Sequence, residues 1–438
     1  MMSLLTQDAR SVGRQLTADV AIVGAGPVGC VAALAWARRG VRVCVIDAGC
    51  APTRLAGEWL HPTGASVLSH LGVDLTKQGV PHACGRGFAI FPAGSTPIVL
   101  SYVGGELGVG CQHHWLVQAL HATMAQIPNI HVIHGYRVVD VGPGKVVAVC
   151  ARRAHSVTLR SDWVVGADGR QSVVRQKLGY AGNGRPVSYM AGFLIPAAVL
   201  PYPEHGNVFL GGPGPVLAFR VNATQARVCF DVPADRVMWI RHPHELVRAY
   251  RSILPGPIAD ACQKALETDA PAVAANQLLR RRYYGRGKMA LIGDAVGHCH
   301  PLCAVGMSVG FLDAVTLAES ATVEEFAAKR YFAGRVPELL SMGLYDLFVS
   351  SDPGSVELRQ AVYQLWRTSA AARHDTMRLL AVRETRRLAL GITFARLLSA
   401  ASRQIVRELL TRSWSRSLAA VCGLGRWGGW FAREMIVA

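Results

Sequence analysis

The chain has 438 residues, 51% of them hydrophobic and 17% charged, which is too long for one minimal core and too apolar for a disordered protein. Its 46 Lys and Arg against 29 Asp and Glu give a formal net charge of +17. That excess points to a polyanionic partner: nucleic acid, an anionic membrane surface or a phosphate-rich cofactor. The sequence has no zinc-finger, basic-zipper or RNP pattern, so nucleic acid is not expected.

The 11 cysteines are odd in number and scattered, several of them (Cys30, Cys44, Cys229) inside predicted strands or helices. They read as reduced thiols, not as a disulfide framework. The opening MMSLLTQDAR has no basic stretch leading into an apolar one, so no secretory signal is expected. A cytoplasmic location with peripheral membrane contact is the expectation.

Residues 19–23 form an apolar strand, followed by Gly24-Ala25-Gly26-Pro27-Val28-Gly29 and an Ala-rich helix to Arg39. Gly40 ends the helix, and residues 41–46 form a second strand ending in Asp47, 21 residues after Gly26. This is the dinucleotide fingerprint in its strand-turn-helix context: glycines for a tight turn and close approach of a pyrophosphate, and an acid for a ribose hydroxyl. Arg54 and Glu58 follow, then a helix ending near Leu71. Two short strands are expected within 85–101, a helix after His113 and His114, a strand at 130–133, and a hairpin pairing 145–150 with 156–159.

Residues 162–166 form another apolar strand, ending in Ala167-Asp168-Gly169. Between Tyr189 and Pro233 the texture changes to alternating segments separated by Gly-Pro turns, the pattern of a mostly antiparallel sheet. Residues 242–264 are expected to be helical. Residues 289–292 form a buried strand that turns at Gly293-Asp294, passes His298, His300 and Pro301, and enters a helix near Gly306. Three strands thus end in Asp47, Asp168 and Asp294, and α/β folds bind ligands at such carboxyl ends. Beyond Asp313 helical spacing is expected over 323–333, 337–347, 354–373 and 374–390. The last fifty residues mix Trp414, Trp427, Trp430 and Phe431 with many arginines, a composition suited to an anionic membrane surface.

In this order, Gly24-x-Gly26-x-x-Gly29, Gly166-Ala167-Asp168-Gly169 and Gly293-Asp294 resemble the three FAD motifs of single-component flavoprotein monooxygenases with the para-hydroxybenzoate hydroxylase fold. Four further segments resemble the squalene epoxidase (squalene monooxygenase) family within that group. They are Arg54-x-x-Gly57-Glu58-x-Leu60-x-Pro62-x-Gly64, the pair His113-His114, Pro213-x-Pro215-Val216-Leu217 with Arg227-Val228-x-x-Asp231, and His300-Pro301-Leu302-x-x-x-Gly306-Met307. The likeness covers about residues 19–333.

The resemblance implies an α/β fold: a Rossmann-type FAD-binding domain with an interleaved antiparallel-sheet substrate domain and a C-terminal helical region. The expected division is 1–185 and 276–340 for the FAD-binding domain, with 85–104 lent to the substrate layer, 186–275 for the substrate domain and 341–438 for the basic helical region. It further implies that Asp47 holds the adenosine ribose, that Asp168, Gly169 and Asp294 meet the ribityl-diphosphate region, that Arg54 and Glu58 lie by the flavin, and that Gly306 and Met307 face its pyrimidine edge. Phe88, Pro215, Leu217, His300, Pro301, Cys303 and Val305 are the substrate-pocket candidates. Where the family has Gly-Arg after its histidine pair, this chain has Trp115-Leu116. A pocket tyrosine of the eukaryotic enzymes falls at Phe88, and the family's Gly-rich run is Cys303-Ala304-Val305 here.

The activity implied is FAD-dependent insertion of one oxygen atom from O2 into a hydrophobic, unsaturated substrate (isoprenoid or polyene) through a flavin C4a-hydroperoxide, by epoxidation or hydroxylation. The flavin performs the chemistry, so no side-chain nucleophile or base is assigned. NADPH or a separate reductase is the expected electron donor, since no second nucleotide fingerprint occurs in the sequence. The rivals are a flavin-dependent halogenase, whose Trp-x-Trp-x-Ile-Pro signature is absent from the sequence, a prenyl-chain reductase of the same fold, and a non-enzymatic membrane-surface protein. His298, Cys299, His300 and Cys303 have zinc-ligand chemistry but crowded spacing, and no metal is expected.

Overall fold

The computed structural model describes residues 14–49, 55–150, 155–180, 182, 184, 186–408 and 414–436. Its first layer is a six-stranded sheet in the order Gly285–Arg286, Met289–Leu291, Trp163–Gly166, Val20–Val23, Val43–Asp47 and Ile130–His134. All neighbours are parallel except the first pair. The runs VAIV and VCVI are buried on both faces, the pattern of a parallel sheet covered by helices.

Helix α1 (Pro27–Ala37) follows the first of these strands. Its Ala-rich composition favours helix, and Pro27 sits in the first turn, where a missing N–H costs nothing. The turn before it depends on two glycines. Gly24 has φ +100°, and a Cβ there would lie 2.6 Å from the Ala167 carbonyl oxygen. A Cβ on Gly29 would lie 2.0 Å from the Gly24 oxygen. Helices α2 (Pro62–His70), α3 (His113–Met124) and α4 (Val173–Lys177) complete the N-terminal part. Strands Arg14–Thr17, Ser156–Arg160, Lys145–Cys150 and Tyr136–Gly142 form a small side sheet.

The second layer is a seven-stranded sheet ordered Ala272–Gln277, Pro186–Pro196, Gln225–Pro233, Val216–Arg220, Gly206–Leu210, Gly87–Pro92 and Ile98–Ser101. It is antiparallel except where Gly206–Leu210 runs beside Gly87–Pro92. The period of two sorts its side chains. Val216, Ala218 and Phe230 pack outward with α6 (Pro243–Tyr250) and α7 (Gly256–Ala265), which follow the short α5 (Met238–Arg241). Met190, Leu217, Phe219 and Cys229 pack on the other side. The single helix expected over 242–264 is therefore two, parted before Pro255, which opens α7 as its N-cap.

Helix α8 (Gly306–Ala318) packs on α1. Beyond it lie α9 (Val323–Val349), α10 (Pro353–Thr368), α11 (Ala370–Leu380), α12 (Arg387–Glu408) and α13 (Trp414–Ile436). Two expectations change here. The break expected before Pro337 is absent: α9 runs through that residue and across the boundary expected at 340/341. Buried Val336 and Leu339, and the close fit of Gly334 against the Tyr284 hydroxyl, hold both halves in line. The break expected after Arg373 falls at Ser369 instead, whose hydroxyl accepts from Ala372 N at 3.1 Å and caps α11.

Asp313, on α8, is fully buried with Arg281 and Arg330. Arg330 Nε donates to its Oδ1 at 2.8 Å, and Gly293 N donates to its Oδ2 at 3.0 Å. Arg281 bonds to Asp313 and also donates to the carbonyls of Gly293 and Gly297, each at 2.9 Å. Asp313→Asn leaves two buried guanidinium groups with less than their counter-charge, and such losses run to about 3–5 kcal/mol. Chemical denaturation should show the midpoint falling accordingly; an unchanged midpoint would refute the anchoring role.

Candidate active site

Asp47, Asp168 and Asp294 stand at the carboxyl edge of the parallel sheet, at or just beyond the ends of three of its strands. Asp47 Oδ2 accepts from Ala25 N at 2.6 Å and Oδ1 from Gly49 N at 2.7 Å. The carboxylate thus ties down the glycine turn. The first turn of α1 has no side-chain cap, and the direction a Cβ would take at Gly26 is open. Uncapped N–H groups at a helix start, beneath open space, form an anion cradle.

Asp168 Oδ2 accepts from Val173 N at 2.7 Å and so holds the start of α4. Its Oδ1 is buried without a hydrogen-bond partner, and burial pushes the carboxyl pKa up. An orphaned acceptor beside Gly169, which has φ +76° and open space above it, is a place for a hydroxyl donor. Asp294 Oδ2 lies 3.4 Å from Arg170 Nε. Arg175 donates to the Ala295 carbonyl at 3.0 Å. Burial lowers the Arg175 pKa, and the charges of Asp168 and Asp294 oppose that shift. At α8, Val305 is an N-cap without a side-chain hydrogen bond, Gly306 faces open space, and Met307 packs within 3.2 Å of where a Gly57 Cβ would stand. Two uncapped helix starts, an orphaned acceptor and three acids along one sheet edge fit an extended dinucleotide cofactor.

A cavity of about 180 Å³ joins this edge to the second sheet. Asp294, Arg170, Gly306 and Met307 border it on one side; Leu55, Met190, Leu217 and Phe219 form apolar walls. A larger cleft of about 800 Å³ adjoins it, sharing Leu55 and Glu58 and reaching His113 and His114. Between the two stands a buried pair: Arg227 donates to Glu58 through Nε at 2.7 Å and Nη2 at 3.0 Å. Such two-pronged pairing fixes the segment 55–59 geometrically.

Behind the cavity lies a buried polar network. Ser188 Oγ donates to Asp231 Oδ2 at 2.8 Å, Asn276 Nδ2 donates to the same oxygen at 3.0 Å, and His300 Nε2 lies 3.0 Å from it. His300 Nδ1 accepts from Leu302 N at 3.2 Å. The proton therefore sits on Nε2, pointing at Asp231. Tyr345 stacks on the His300 ring at 3.7 Å, and Ser341 Oγ donates to the His300 carbonyl at 2.6 Å. A second device is His61, whose Nε2 lies 2.8 Å from the Cys303 carbonyl and Nδ1 2.8 Å from the Tyr102 hydroxyl. Trp59 Nε1 donates to that hydroxyl at 3.0 Å, so Tyr102 turns its own proton to Nδ1 and His61 donates from Nε2 to Cys303.

Of the expected pocket residues, Leu217, His300 and Pro301 line the smaller cavity. Phe88, Pro215, Cys303 and Val305 are buried but are not among its lining residues. Phe88 packs against Trp59 and His61. Burial pushes the Cys303 thiol pKa up to about 12, so it is an inert packing group. Arg54 lies outside the described residues. His298, Cys299, His300 and Cys303 do not converge: no cluster fit for a metal occurs among the described residues. Sequence reasoning gave no role to Arg170, Ser188, Arg227, Asp231 or Asn276. A signal existed for two of them, since Arg227 and Asp231 are charges inside the otherwise apolar strand QARVCFDVP, and buried charges demand partners.

The doubly wound sheet, its carboxyl-edge acids and the interleaved antiparallel sheet define a class: flavoproteins of the para-hydroxybenzoate hydroxylase fold. A family model described as FAD binding domain matches residues 17–329, and the chain belongs to that family. It is 26% identical over 372 residues to squalene epoxidase 3 of Arabidopsis thaliana, an alignment covering 79% of this chain and 70% of that one. Among solved structures it is similar to PqsL, a probable FAD-dependent monooxygenase from Pseudomonas aeruginosa, with TM-score 0.63, 18% identity, and 82% of this chain and 99% of that chain covered. The flavin-dependent brominase Bmp2 is also similar, with TM-score 0.65, 14% identity, and 88% and 100% covered.

Burial pushes the His61 pKa from 6.5 down to about 4. Its folded pKa is depressed, so between those values the unfolded chain binds the extra proton. The stability contribution is complete above about 6.5 and is lost as pH falls toward 4. His298 is shifted the same way, also by burial. Thermal unfolding followed from pH 7 to pH 4 should show a falling midpoint, with a shallower slope in His61→Gln; an identical slope in that variant would overturn the assignment.

Proposed function

We propose that this chain is an FAD-dependent monooxygenase that adds one oxygen atom from O2 to a hydrophobic, unsaturated substrate, an isoprenoid or polyene, giving an epoxide or an alcohol. The observation that carries this reading is the cavity bordered by Asp294, Gly306 and Met307 on one side and by Leu55, Met190, Leu217 and Phe219 on the other. The polar side suits a cofactor and the apolar side an oily acceptor. Bound FAD supplies the redox chemistry, taking up electrons and activating O2.

In this reading Gly24, Gly26 and Gly29 let the pyrophosphate approach the start of α1. Asp47 takes a ribose hydroxyl, and Asp168, Gly169 and Asp294 take the ribityl-diphosphate region. The N–H groups of Gly306 and Met307, at the positive end of α8, would stabilise negative charge on a bound, reduced flavin. Glu58 holds the facing segment through Arg227. The apolar walls exclude water from the reacting centre. The Asp231–His300–Ser188–Asn276 network fixes the loop that carries Pro301. Electrons come from NADPH or from a separate reductase.

A peripheral membrane surface belongs to the same reading. Leu388, Val406, Trp414, Leu418 and Val421 on α12 and α13 are 54–82% exposed, among Arg403, Arg407 and Arg416. Exposed apolar groups with basic neighbours suit an anionic lipid surface. No helix among the described residues is long and apolar enough to cross a membrane.

Two measurements test the proposal. The reduced holoprotein, given O2 and candidate isoprenoids or polyenes, should yield products heavier by one oxygen atom. A gain of two hydrogens would mark a prenyl-chain reductase instead, and a halogen in the product a halogenase. Asp294→Ala should purify with most of its flavin absorbance lost while circular dichroism stays native; full occupancy in that variant would remove Asp294 from the cofactor site.

A further inference from the structure

A second apolar space lies away from the cavity at the sheet edge. A chamber of about 630 Å³ lies among helices α9 to α13, with Leu344, Leu365, Phe394, Trp427, Trp430 and Phe431 in its walls. That volume falls in the roughly 300–1,000 Å³ range of ligand pockets. The chamber adjoins a second, polar hollow of about 420 Å³, with which it shares Leu365 and Arg403. Gln364, Thr368 and Arg407 also line that hollow.

The charges there point one way. The acid in the chamber wall, Asp375, is paired with Arg396 at 2.9 Å. Arg403 donates to the Ser399 hydroxyl at 2.6 Å and is exposed, as is Arg407. An oily chamber opening on a hollow with two guanidinium groups has the polarity of an amphiphile whose head is anionic. Ile392 lines the chamber and is 44% exposed, so the chamber borders the exposed apolar face of α12 and α13.

The chamber is distinct from the proposed oxygenation cavity. The two share no lining residue. Between them stand the loop carrying His300 and helix α9, whose Ser341 and Tyr345 clasp His300. Reaction needs about 3–3.5 Å between reacting atoms, so a molecule in the chamber is not the oxygen acceptor.

We propose that the chamber and its polar annex bind one long acyl chain carrying an anionic head, with the chain against Trp427 and Trp430 and the carboxylate or phosphate at Arg403 and Arg407. The inference goes beyond the oxygenase reading and does not depend on it.

The test uses the FAD-loaded full chain and 9,10-dibromostearate, whose bromines quench tryptophan on contact. Trp366 also lines the chamber, so quenching should saturate, and Trp366→Phe/Trp427→Phe/Trp430→Phe should remove most of it. Arg403→Gln/Arg407→Gln should weaken binding about tenfold, and the uncharged methyl ester should bind the wild type with a similar loss. Flavin absorbance and an unchanged thermal midpoint in each variant show that the fold is kept. A second arm presents phosphatidylcholine vesicles with or without brominated phosphatidylglycerol. Saturable quenching by the free acid alone identifies a fatty acid as the source, and quenching by the brominated vesicles as well identifies a membrane phospholipid. Unsaturable quenching, quenching that survives the triple tryptophan variant, or equal affinity in the arginine variant overturns the proposal. Because no turnover is read, failure here leaves the oxygenase reading standing, and the reverse.

Discussion

The carboxylate of Asp313 is the constraint on which the site's geometry depends. It sits in the middle of α8, fully buried, and takes hydrogen bonds from Arg330 and from the backbone N–H of Gly293. Arg281, bonded to the same carboxylate, reaches over to the carbonyls of Gly293 and Gly297. The turn that presents Asp294 is therefore bolted to the helix whose first residues are Gly306 and Met307. Neither group could drift without leaving a charge unpaired in a low-dielectric interior, where the penalty is severe. The close packing of Gly310 against Val28 and Gly293 adds α1 to the same rigid unit. One buried acid thus couples the glycine turn, the third acid and the second helix start.

The loop between these points, residues 298–304, is held from its other side. Asp231 and Ser188, on strands of the second sheet, fix the His300 ring through Nε2, while the Leu302 N–H fixes it through Nδ1. Helix α9 closes the far side through Ser341 and Tyr345. His61, kept neutral by burial, holds the Cys303 carbonyl. Apart from Leu302, these partners come from the second sheet, from helix α9 and from His61 just ahead of α2, so the loop's shape records the assembly of those separate parts. This explains why polar groups persist in a region that apolar packing alone could fill: they specify one arrangement among several that would bury similar area.

That distribution also explains what was legible in the sequence. The strand-turn-helix at 20–37, the acids at 47, 168 and 294, and the alternation of the second sheet are local patterns, readable because the period of the apolar residues and the position of glycine report backbone geometry directly. The partnerships of Glu58 with Arg227 and of His300 with Asp231 span 169 and 69 residues, and no periodicity encodes them. The helix ends differ from the expected ones for physical reasons of the same kind. Pro337 removes one hydrogen bond from α9, yet packing on both sides of it outweighs that loss. Ser369 supplies a cap within one continuous apolar repeat.

The net charge can now be apportioned. Arg227, Arg281, Arg330 and Arg335 are buried and balanced by Glu58, Asp313, Glu338 and Glu434. These pairs take four arginines and four acids out of the surface together, so they do not change the net excess of +17. A dinucleotide's pyrophosphate offers too few charges to answer that excess. Seven arginines against Glu408 and Glu434 give α12 and α13 a net +5 of that excess, and there Arg403, Arg407 and Arg416 alternate with exposed Leu388, Val406, Trp414 and Leu418. Apolar and cationic groups interleaved on one surface are matched by an interface that is itself apolar inside and anionic outside, which a nucleic acid is not. The basic share on α12 and α13 therefore suits the proposed lipid face.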